Sequence, residues 1–448
     1  MSTGSPWYSP QCDTSVTRLN TNRNMKILII GGGGREHALA WKAAQSELVD
    51  LVYVAPGNAG TGLEDGVENI DIDAGNIDSL IKFAEVEKIG LTIVGPEAPL
   101  VAGIVDRFES SGLTIFGPTA KAAQLEGSKT FTKDFLARHK IPSAAYQSFT
   151  DVDAACDYAS QQTMPVVIKA DGLAAGKGVI IAQTQSEAVS TIVDMLCGNS
   201  FGEAGFRVVI EEFLHGEEAS FICIVDGDQV LPMATSQDHK ARDNGDHGPN
   251  TGGMGAYSPA PIVDAGIEAH VMRDIILPTV QGMAAEGARY RGFLYAGLMI
   301  GADGNAQVIE YNCRFGDPEA QPIMMRLHSD LVDLCLAACE GKLQHKTTQW
   351  DKRASVGVVL ATKGYPGSNA GAEIIRDIPP ESSRGKVFHA GTKSDAEGNI
   401  LSNGGRVLCA VGLGDNIAKA QQQAYELVDK IDWKSAYFRT DIGFKAIF

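Results

Sequence analysis

The sequence lacks the features that mark membrane-spanning, disulfide-bonded and nucleic-acid-binding proteins. No apolar run approaches the ~18 residues that a helix needs to cross a bilayer. The eight cysteines are scattered, without a C-x₂-C pair or a zinc-ligand spacing, and free thiols in a reducing cytoplasm are therefore expected. Basic residues are in the minority, 38 against 55 acidic residues, and the net charge of -17 disfavours non-specific binding to nucleic acid or to an anionic membrane. An anionic substrate must therefore be captured by local positive groups.

What the sequence does have is the length and composition of a multidomain globular protein. Its 448 residues, 44% apolar and 21% charged, predict roughly two to four domains, each with its own core. Residues 1–24 are polar and precede Met25, which has the pattern of a natural start. We interpret them as a disordered extension or as the product of an upstream start codon. A transit peptide stays open as an alternative, because Arg18 and Arg23 lie among Ser and Thr, although Asp13 counts against it.

A glycine-rich turn follows the first predicted strand. Residues 26–30 (KILII) predict a buried parallel strand, and Gly31–Gly34 then precede a predicted helix that begins near Arg35. Bare amides at a helix N-terminus suit a phosphate or another anion. The glycines do not match G-x-G-x-x-G in any register, so a dinucleotide site is disfavoured.

Three more predicted strands, at 51–54, 91–94 and 113–116, alternate with helical patterns and end in loops rich in Gly and Pro. This alternation predicts a doubly wound parallel sheet whose loops converge at the carboxyl ends of the strands, where ligands bind. The loop at 57–60 is therefore a candidate ligand site. The alternative, that these glycines and prolines only make tight turns, stays open at this point.

After the first quarter of the chain the pattern becomes β-rich. Residues 166–169 predict a buried strand that ends in a lysine, and small residues at 170–179 surround Lys177, whose ammonium group can close over phosphates together with the loop amides. This is not a Walker A motif, because Gly178 stands where Ser or Thr is needed. The strand at 208–214 then runs into several acidic residues, which we interpret as a nucleotide hinge. An exposed acidic turn is the alternative.

The second strand of a predicted β-hairpin carries a candidate metal site. Because side chains alternate along a strand, Val308, Glu310 and Asn312 are predicted on one face, where a carboxylate and an amide oxygen suit Mg²⁺. Arg314 is predicted beside them as an anion clamp. The alternative is a simple ion pair between Glu310 and Arg314 on a solvated face.

Two further segments carry structural predictions. Residues 237–257 form a long, polar, Gly-rich loop between apolar segments, and such loops are usually functional or disordered. Residues 354–448 predict a third, β-rich unit with a helix at 415–431.

Six motifs stand in one order along the chain from Met25 to the C-terminus. They are GGGREH at 32–37, PGNAG at 56–60, GPEAPL at 95–100, GLAAGKGV at 172–179, the loop at 249–257 and NCRFGDPE at 312–319. Together they closely resemble the phosphoribosylamine–glycine ligase family of the ATP-grasp superfamily, although any one of them would be a weak signal alone.

The resemblance implies an α/β fold with three parts. These are an N-terminal doubly wound parallel sheet, a two-lobed ATP-grasp domain and a small C-terminal β-rich α+β domain. The implied boundaries are 25–126 for the N-terminal domain, 127–345 for the ATP-grasp domain with its small lobe at about 145–215, and 350–448 for the C-terminal domain, after an extension at 1–24.

The resemblance also implies a reaction. Glycine and ATP would give glycyl phosphate, whose carbonyl is attacked by the amine of 5-phosphoribosylamine to release glycinamide ribonucleotide, with ADP and phosphate as the other products, in de novo purine biosynthesis. ATP and Mg²⁺ (or Mn²⁺) are the implied cofactors, and glycine and 5-phosphoribosylamine the implied small-molecule partners. A cytoplasmic monomer or weak homodimer is expected, with neither nucleic acid nor membrane as a partner.

Carried over residue by residue, the resemblance assigns four groups of site residues. Arg314 and Lys177 are the catalytic candidates, and Glu310 and Asn312 the metal ligands. The cofactor-binding candidates are Lys129, Lys169, Gly172, Gly176, Gly178, Glu211, Glu212, Phe213, Leu214 and Glu218. The substrate-binding candidates are Gly57, Asn58, Ala59, Gly60, Asp238, Lys240, Asn250 and Asp317.

Two positions depart from the pattern of these relatives. Many ATP-grasp enzymes carry a further carboxylate on the first strand of the hairpin, where this chain has Leu298, so water and phosphate are expected to complete the metal coordination. Relatives often carry Arg directly after Lys240, where this chain has Ala241. Whether Arg242 takes that role stays open.

Two other functions compete with this interpretation. One is another ATP-grasp carboxylate–amine ligase of nucleotide metabolism, against which the motifs at 57–60 and 317–319 count. The other is a nucleotide-binding regulatory protein without turnover. Such a protein would be expected to lose a metal ligand or a phosphate lysine, whereas Glu310, Asn312 and Lys129 are all present.

Overall fold

The computed structural model describes residues 25–173, 178–197, 206–367 and 371–447. The predicted extension at 1–24 and the candidates Gly176 and Lys177 lie outside these described residues. Within the described ranges, no helix combines the length and the apolar character needed to cross a bilayer.

The N-terminal domain is a five-stranded parallel sheet flanked by helices. Its elements are β1 (Met25–Gly31), α1 (Gly34–Ala43), β2 (Val49–Pro56), β3 (Val67–Asn69), α2 (Ile77–Glu87), β4 (Ile89–Val94), α3 (Glu97–Val101), α4 (Ile104–Ser110), β5 (Ile115–Phe116) and α5 (Gln124–Gly127). The strand order β3-β2-β1-β4-β5 confirms the predicted doubly wound sheet and adds β3, which the sequence analysis missed. Ile27 and Leu28 of β1 are fully buried in separate clusters on the two faces, as a parallel strand requires.

The small lobe of the ATP-grasp domain is an antiparallel sheet in the order β6-β9-β7-β8, with two helices packed into its core. Its elements, after helix α6 (Lys129–Arg138), are β6 (Tyr146–Phe149), α7 (Val152–Ser160), β7 (Val166–Ala170), β8 (Val179–Ala182), α8 (Gln185–Cys197) and β9 (Val208–Glu212). Ser128 caps α6 by accepting a hydrogen bond at Oγ from the amide of Phe131, at 3.1 Å. The predicted strand that ends in a lysine is confirmed as β7.

The large lobe is built on a second antiparallel sheet, in the order β11-β10-β16-β17. The strands of this part of the chain are β10 (Glu217–Asp226), β11 (Val230–Pro232), β12 (Gln237–Asp238), β13 (Ala241–Asp243), β14 (His247–Asn250), β15 (Gly255–Ser258), β16 (Arg291–Ile300) and β17 (Ala306–Asn312). Its helices are α9 (Ala265–Val271), continued by a π-helical turn and α10 (Leu277–Ala285), then α11 (Ala320–Arg326) and α12 (Leu331–Cys339). Strands β16 and β17 confirm the predicted hairpin.

Strand β17 breaks the predicted alternation of side chains. Gly297 pairs with Glu310 and its neighbour Leu298 pairs with Val308, so Ile309 is an extra residue and forms a β-bulge. As a result, Val308 and Tyr311 both lie in the same core cluster. The prediction that Val308 shares a face with Glu310 is therefore wrong, because the bulge shifts the alternation by one residue.

The C-terminal sheet recruits strands from the middle of the chain. Its own elements are β18 (Ala354–Ala361), β19 (Ile374–Ile375), β20 (Gly385–His389), β21 (Thr392–Ser394), β22 (Ile400–Ser402), β23 (Arg406–Gly414) and α13 (Ile417–Val428). The order β12-β15-β18-β23-β20 shows that the segment at 237–257 contributes two strands. The interpretation of that segment as one long loop is therefore wrong, and the segment contains four short strands instead. The predicted helix at 415–431 is confirmed as α13.

Candidate active site

A cavity of about 410 Å³ lies where the domains meet, a size typical of small-molecule sites. All the domains contribute to its wall, from Arg35 at the start of α1 to Arg406 at the start of β23. The predicted site residues in the wall are Lys129, Lys169, Gly172, Gly178, Glu211, Glu212, Phe213, Leu214, Glu218, Asp238, Lys240, Asn250, Glu310, Asn312, Arg314 and Asp317. The fold thus brings together most of the residues that the sequence analysis selected from distant segments.

Buried lysines form one end of the cavity. Lys169 Nζ lies 2.9 Å from Glu211 Oε1 and donates to the carbonyl of Ile309 at 3.0 Å. Lys133 Nζ lies 3.1 Å from Glu211 Oε2, so this carboxylate holds two lysines in place. Lys129 Nζ donates to the carbonyl of Gly172 at 2.8 Å. Burial lowers the pKa of Lys129. Because three lysines gather at this end of the cavity, it suits the phosphates of a nucleotide.

The metal-ligand candidates occupy the wall beyond the bulge of β17. Glu310 and Asn312 both line the cavity. Lys240 Nζ lies 3.3 Å from Glu310 Oε1 and 3.0 Å from Glu218 Oε2, so it bridges the two carboxylates. The positive charge of Lys240 outweighs the effect of desolvation and, together with the charge of Lys169, lowers the pKa of Glu310 to about 2. The carboxylate is therefore ionised and already attracts a cation.

Arg314 is held by two carboxylates that the sequence analysis did not select. Its guanidinium lies 3.2 Å from Glu97 Oε2 and 2.8 Å from Glu126 Oε1. Glu126 Oε2 also accepts a hydrogen bond from the amide of Cys313 at 2.6 Å. The alternative prediction of a Glu310–Arg314 ion pair is therefore wrong, since each side chain pairs elsewhere.

These two carboxylates differ in their protonation. Burial raises the pKa of Glu126 to about 7, despite the attraction of Arg314. Desolvation acts in the same sense on Glu97, but Arg314 and Arg35 outweigh it and lower the pKa of Glu97 to about 2. One carboxylate is therefore firmly ionised, and the other is poised near neutral pH.

The opposite end of the cavity combines acidic side chains with an arginine from the C-terminal domain. Arg406 lies 2.9 Å from Asp317 Oδ2 and donates to the carbonyls of Asp317 and Gly252. Asp317 also accepts from Gln321 at 2.9 Å. Asp238 and Asn250 also line the cavity.

The candidates Gly57, Asn58, Ala59 and Gly60 do not belong to the cavity wall in the described chain. Asn58 is buried, and its Nδ2 donates to the carbonyls of Gly32 and His389 at 2.9 and 3.0 Å. Its Oδ1 accepts from the amides of Gly60 and Thr61 at 2.8 and 3.0 Å. The structure thus gives this loop a role in joining the N-terminal and C-terminal domains.

Both departures from the family pattern have structural outcomes. Leu298 is fully buried in the core and does not belong to the cavity wall. Arg242 pairs with Asp243, with Nε 2.8 Å from Oδ1, and it does not line the cavity either. Arg242 therefore does not take the place that Ala241 leaves.

Sequence reasoning missed several charged residues of the site. Lys133 had a usable signal, because it lies one helical turn after Lys129. Arg35 and Glu97 lie inside quoted motifs but were not selected. Glu126 and Arg406 had no local signal, because their partners are distant in sequence.

Comparison with known proteins decides the family. Family models match residues 25–126, 127–320 and 355–445, as the N, ATP-grasp (A) and C domains of phosphoribosylglycinamide synthetase. The chain belongs to the phosphoribosylglycinamide synthetase family.

Relatives and solved structures agree with this assignment. A phosphoribosylamine–glycine ligase of Yersinia pestis is 64% identical over 424 residues, which are 94% of this chain and 99% of the relative. That of Escherichia coli K12 is 63% identical over the same shares. The crystal structure of the Thermotoga maritima phosphoribosylamine–glycine ligase matches with a TM-score of 0.82 at 32% identity, covering 93% of this chain and 100% of that one.

More distant structures share the synthetase fold alone. The biotin carboxylase domain of the Hydrogenobacter thermophilus 2-oxoglutarate carboxylase matches with a TM-score of 0.71 at 16% identity, over 92% of this chain and 91% of that one. The family models and the relatives at 63 and 64% identity confirm the predicted family, fold class and function, the ATP-dependent ligation of glycine to phosphoribosylamine in purine biosynthesis.

Proposed function

We propose that the cavity is where this chain joins glycine to 5-phosphoribosylamine, with ATP converted to ADP and phosphate. A carboxylate oxygen of glycine attacks the γ-phosphorus of ATP, which gives glycyl phosphate and ADP. The amine of 5-phosphoribosylamine then attacks the glycyl carbonyl, phosphate leaves, and the amine loses a proton as glycinamide ribonucleotide forms.

One observation carries the placement of these steps. Lys169 Nζ lies 3.0 Å from the carbonyl of Ile309, the residue directly before Glu310. Lys129 and Lys169 would hold the phosphates of ATP, and Glu310 and Asn312, which follow Ile309 on the same strand, would face the end of the triphosphate. The glycine carboxylate would attack the γ-phosphate there.

The residues of β17 fit a divalent cation. Glu310 and Asn312 supply hard oxygen ligands, and the charge of Lys240 lowers the pKa of Glu310 to about 2, which keeps its carboxylate ionised. In the described chain, no group of three or more His, Cys, Asp and Glu side chains could hold a metal, so phosphate oxygens and water would complete the coordination. We propose Mg²⁺ or Mn²⁺, which when bound neutralises phosphate charge during transfer.

The role that we propose for Arg314 is electrostatic. Its guanidinium lies in the cavity wall, fixed by Glu97 and Glu126. A preorganised cation stabilises charge that develops in a transition state without reorganising. Arg314 is therefore proposed to stabilise the oxygens of the acyl phosphate as they form. Lys177, on the loop between Gly172 and Gly178, stays a prediction, because it lies outside the described residues.

The location and the assembly of the protein are further proposals. We propose the cytoplasm as the location, because the seven cysteines in the described ranges are all free. We also propose a monomer or weak homodimer as the assembly, with neither nucleic acid nor membrane as a partner, on the basis of the family resemblance.

Isotope transfer tests the chemical path. With glycine labelled by ¹⁸O in both carboxylate oxygens, one label should appear in inorganic phosphate per turnover, together with ADP, and the other should stay in the amide. The reciprocal experiment, with unlabelled glycine in ¹⁸O-water, should leave the phosphate unlabelled. Label in AMP, or labelled phosphate only in ¹⁸O-water, would contradict the acyl phosphate path.

A further inference from the structure

The carboxylates of the cavity are not equally paired. Nine carboxylates line it. Six of them form ion pairs with lysine or arginine, namely Glu97, Glu126, Glu211, Glu218, Glu310 and Asp317. Glu212 is exposed to solvent. That leaves Asp238 and Glu319 as enclosed carboxylates for which the described residues provide no ion-pair partner.

Asp238 has an acceptor atom without a donor. Its Oδ1 is buried and has no hydrogen-bond partner among the described residues. A Cβ added at Gly253, whose φ is +110°, would lie only 2.6 Å from this Oδ1, so the glycine makes room for the carboxylate. Burial, followed by the charge of Glu319, raises the pKa of Asp238 well above its ordinary value. An isolated buried carboxylate is costly unless a cation joins it.

Glu319 is 3% exposed and is fixed beside the metal-ligand strand. Its Oε1 accepts a hydrogen bond from Ser220 Oγ at 2.9 Å, and that hydroxyl lies 2.9 Å from Tyr295 Oη. Tyr295 is the cross-strand partner of Asn312. The carboxylate is therefore connected through two side chains to β16, the strand that pairs with the strand of the metal-ligand candidates.

The nearest cations are committed to other carboxylates. Lys240 bridges Glu218 and Glu310. Arg406 forms its ion pair with Asp317. Both cations partly offset the charge of Asp238, but neither lies at ion-pair distance from it in the structure. The pair therefore lacks a small cationic group that can enter from the cavity.

We propose that Asp238 and Glu319 bind the α-ammonium group of glycine. This inference rests on the proposed function, which places the glycine carboxylate near Glu310 and Asn312. Glycine is the substrate with a permanent cation close to its reacting carboxylate, whereas the amine of 5-phosphoribosylamine must be neutral to attack. The pair would orient the carboxylate towards the γ-phosphate by holding the other end of the same small molecule.

A site built on charge discriminates by charge. Glycolate has nearly the shape of glycine but carries a hydroxyl in place of the ammonium group. Loss of a charged partner from a buried pair weakens binding strongly, so the wild-type site should strongly prefer glycine. Removing one negative charge should reduce that preference and affect glycolate little.

The test compares the two ligands by calorimetric titration of the full chain with Mg²⁺ and a non-hydrolysable ATP analogue. In Asp238→Asn and Glu319→Gln, the Kd for glycine should rise at least about 30-fold, while that for glycolate should change by less than about threefold. Asp243→Asn is the matched control, because Asp243 follows Asp238 closely but pairs with Arg242 and Tyr437 away from the cavity. It should leave both affinities unchanged.

Three results would overturn the ammonium site. They are unchanged glycine binding in both variants, an equal loss for glycine and glycolate, and a rise in the KM for 5-phosphoribosylamine with unchanged glycine affinity. The last would assign the pair to the ribosylamine. Failure of the wild-type chain to bind glycine would instead overturn the proposed function itself, so the two failures are distinguishable.

Discussion

Two polar clusters of this molecule differ in how their side chains are paired. The first, which we call the interdomain seam, consists of His37, Asn58, Glu64, Lys386 and His389. The second is the acidic end of the cavity, which contains Asp238, Asp317 and Arg406. In the seam, His37 Nδ1 accepts from the amide of His389 at 2.8 Å, and its Nε2 therefore carries the proton that it donates to Glu64 Oε1 at 2.8 Å. In the cavity, a buried oxygen of Asp238 has no donor in the described chain.

This difference separates structural from functional polar residues. A buried polar network that satisfies itself stabilises the native arrangement and has no capacity left for a ligand. A network with an unpaired atom, or with a lysine that bridges two carboxylates, can exchange those contacts for a substrate or a metal. Each cluster includes residues of the motifs shared with the family, Asn58 in the seam and Asp317 in the cavity. Their pairing therefore indicates which cluster binds ligands and which joins domains.

The largest expected effect is on turnover in the cavity. Glu310→Gln keeps the shape of the side chain and removes the charge proposed to hold the metal. We expect kcat to fall by at least about 10²-fold, while the melting temperature changes little. Steady-state ADP release and thermal unfolding of the same preparation measure the two quantities.

The control for this variant lies on the same hairpin. Asp303→Asn changes an exposed carboxylate in the turn before β17 and should leave kcat unchanged. If the activity of Glu310→Gln stays within about threefold of wild type at ordinary Mg²⁺, the metal assignment is wrong, because loss of a charged metal ligand should lower kcat by much more than that.

The next effect concerns the seam, and it is on stability. Asn58→Ala leaves buried backbone carbonyls and amides of two domains without partners, each at a cost of about 1 kcal/mol or more. We expect the free energy of unfolding to fall by about 3 kcal/mol. Denaturant unfolding measures it, and the KM values for ATP and glycine should stay within about twofold of wild type under native conditions.

Asn305→Ala provides the matched control for Asn58. Asn305 is exposed in the β16–β17 turn, and its side chain bonds only with Asp303 among the described residues, so loss of that side chain should change stability by less than about 0.5 kcal/mol. A large rise in the KM for glycine in Asn58→Ala, without loss of stability, would restore the substrate role predicted from the sequence.

Periodicity predicted most of the fold, and it failed where contacts are non-local. The KILII strand, the hairpin and α13 follow from apolar patterns that span several residues. The two-residue strand β12 and the four-residue β15 were missed, because β15 pairs with β18, which lies about a hundred residues later in the chain, and β12 pairs in turn with β15. The bulge at Ile309 was missed for a similar reason, since it depends on register with β16.

Motif resemblance selected most of the cavity residues but not the reasons for their placement. It grouped Asn58 with Asp238, although the first is saturated with hydrogen bonds and the second is not. It also selected Arg314 without Glu126, because the partner lies 188 positions earlier in the sequence. Pairing of this kind is a property of three-dimensional neighbours and is not encoded in any single motif.

The smallest expected effect is on the pH dependence of stability. Burial lowers the pKa of His37 in the seam, so the unfolded chain binds the extra proton and the contribution of His37 to stability falls as pH drops below the ordinary histidine value. Burial raises the pKa of Glu126 in the cavity from 4.5 to about 7. Here the folded chain holds the extra proton, and stability falls as pH rises between these two values. The contribution of His37 in the seam and that of Glu126 in the cavity therefore change the stability in opposite directions as pH changes.

Glu126→Gln isolates the cavity contribution. The amide keeps one acceptor oxygen, for either Cys313 or Arg314, and it cannot titrate. The stability lost by the wild type between about pH 5 and about pH 7.5 should therefore shrink by about 2 kcal/mol in the variant. Denaturant unfolding at both pH values measures this difference. Asp78→Asn is the control, because Asp78 also forms an ion pair with an arginine, Arg107, but is exposed and does not line the cavity. An unchanged pH dependence in Glu126→Gln would mean that Arg314 holds Glu126 fully ionised at neutral pH, and that the clamp carries two fixed negative charges.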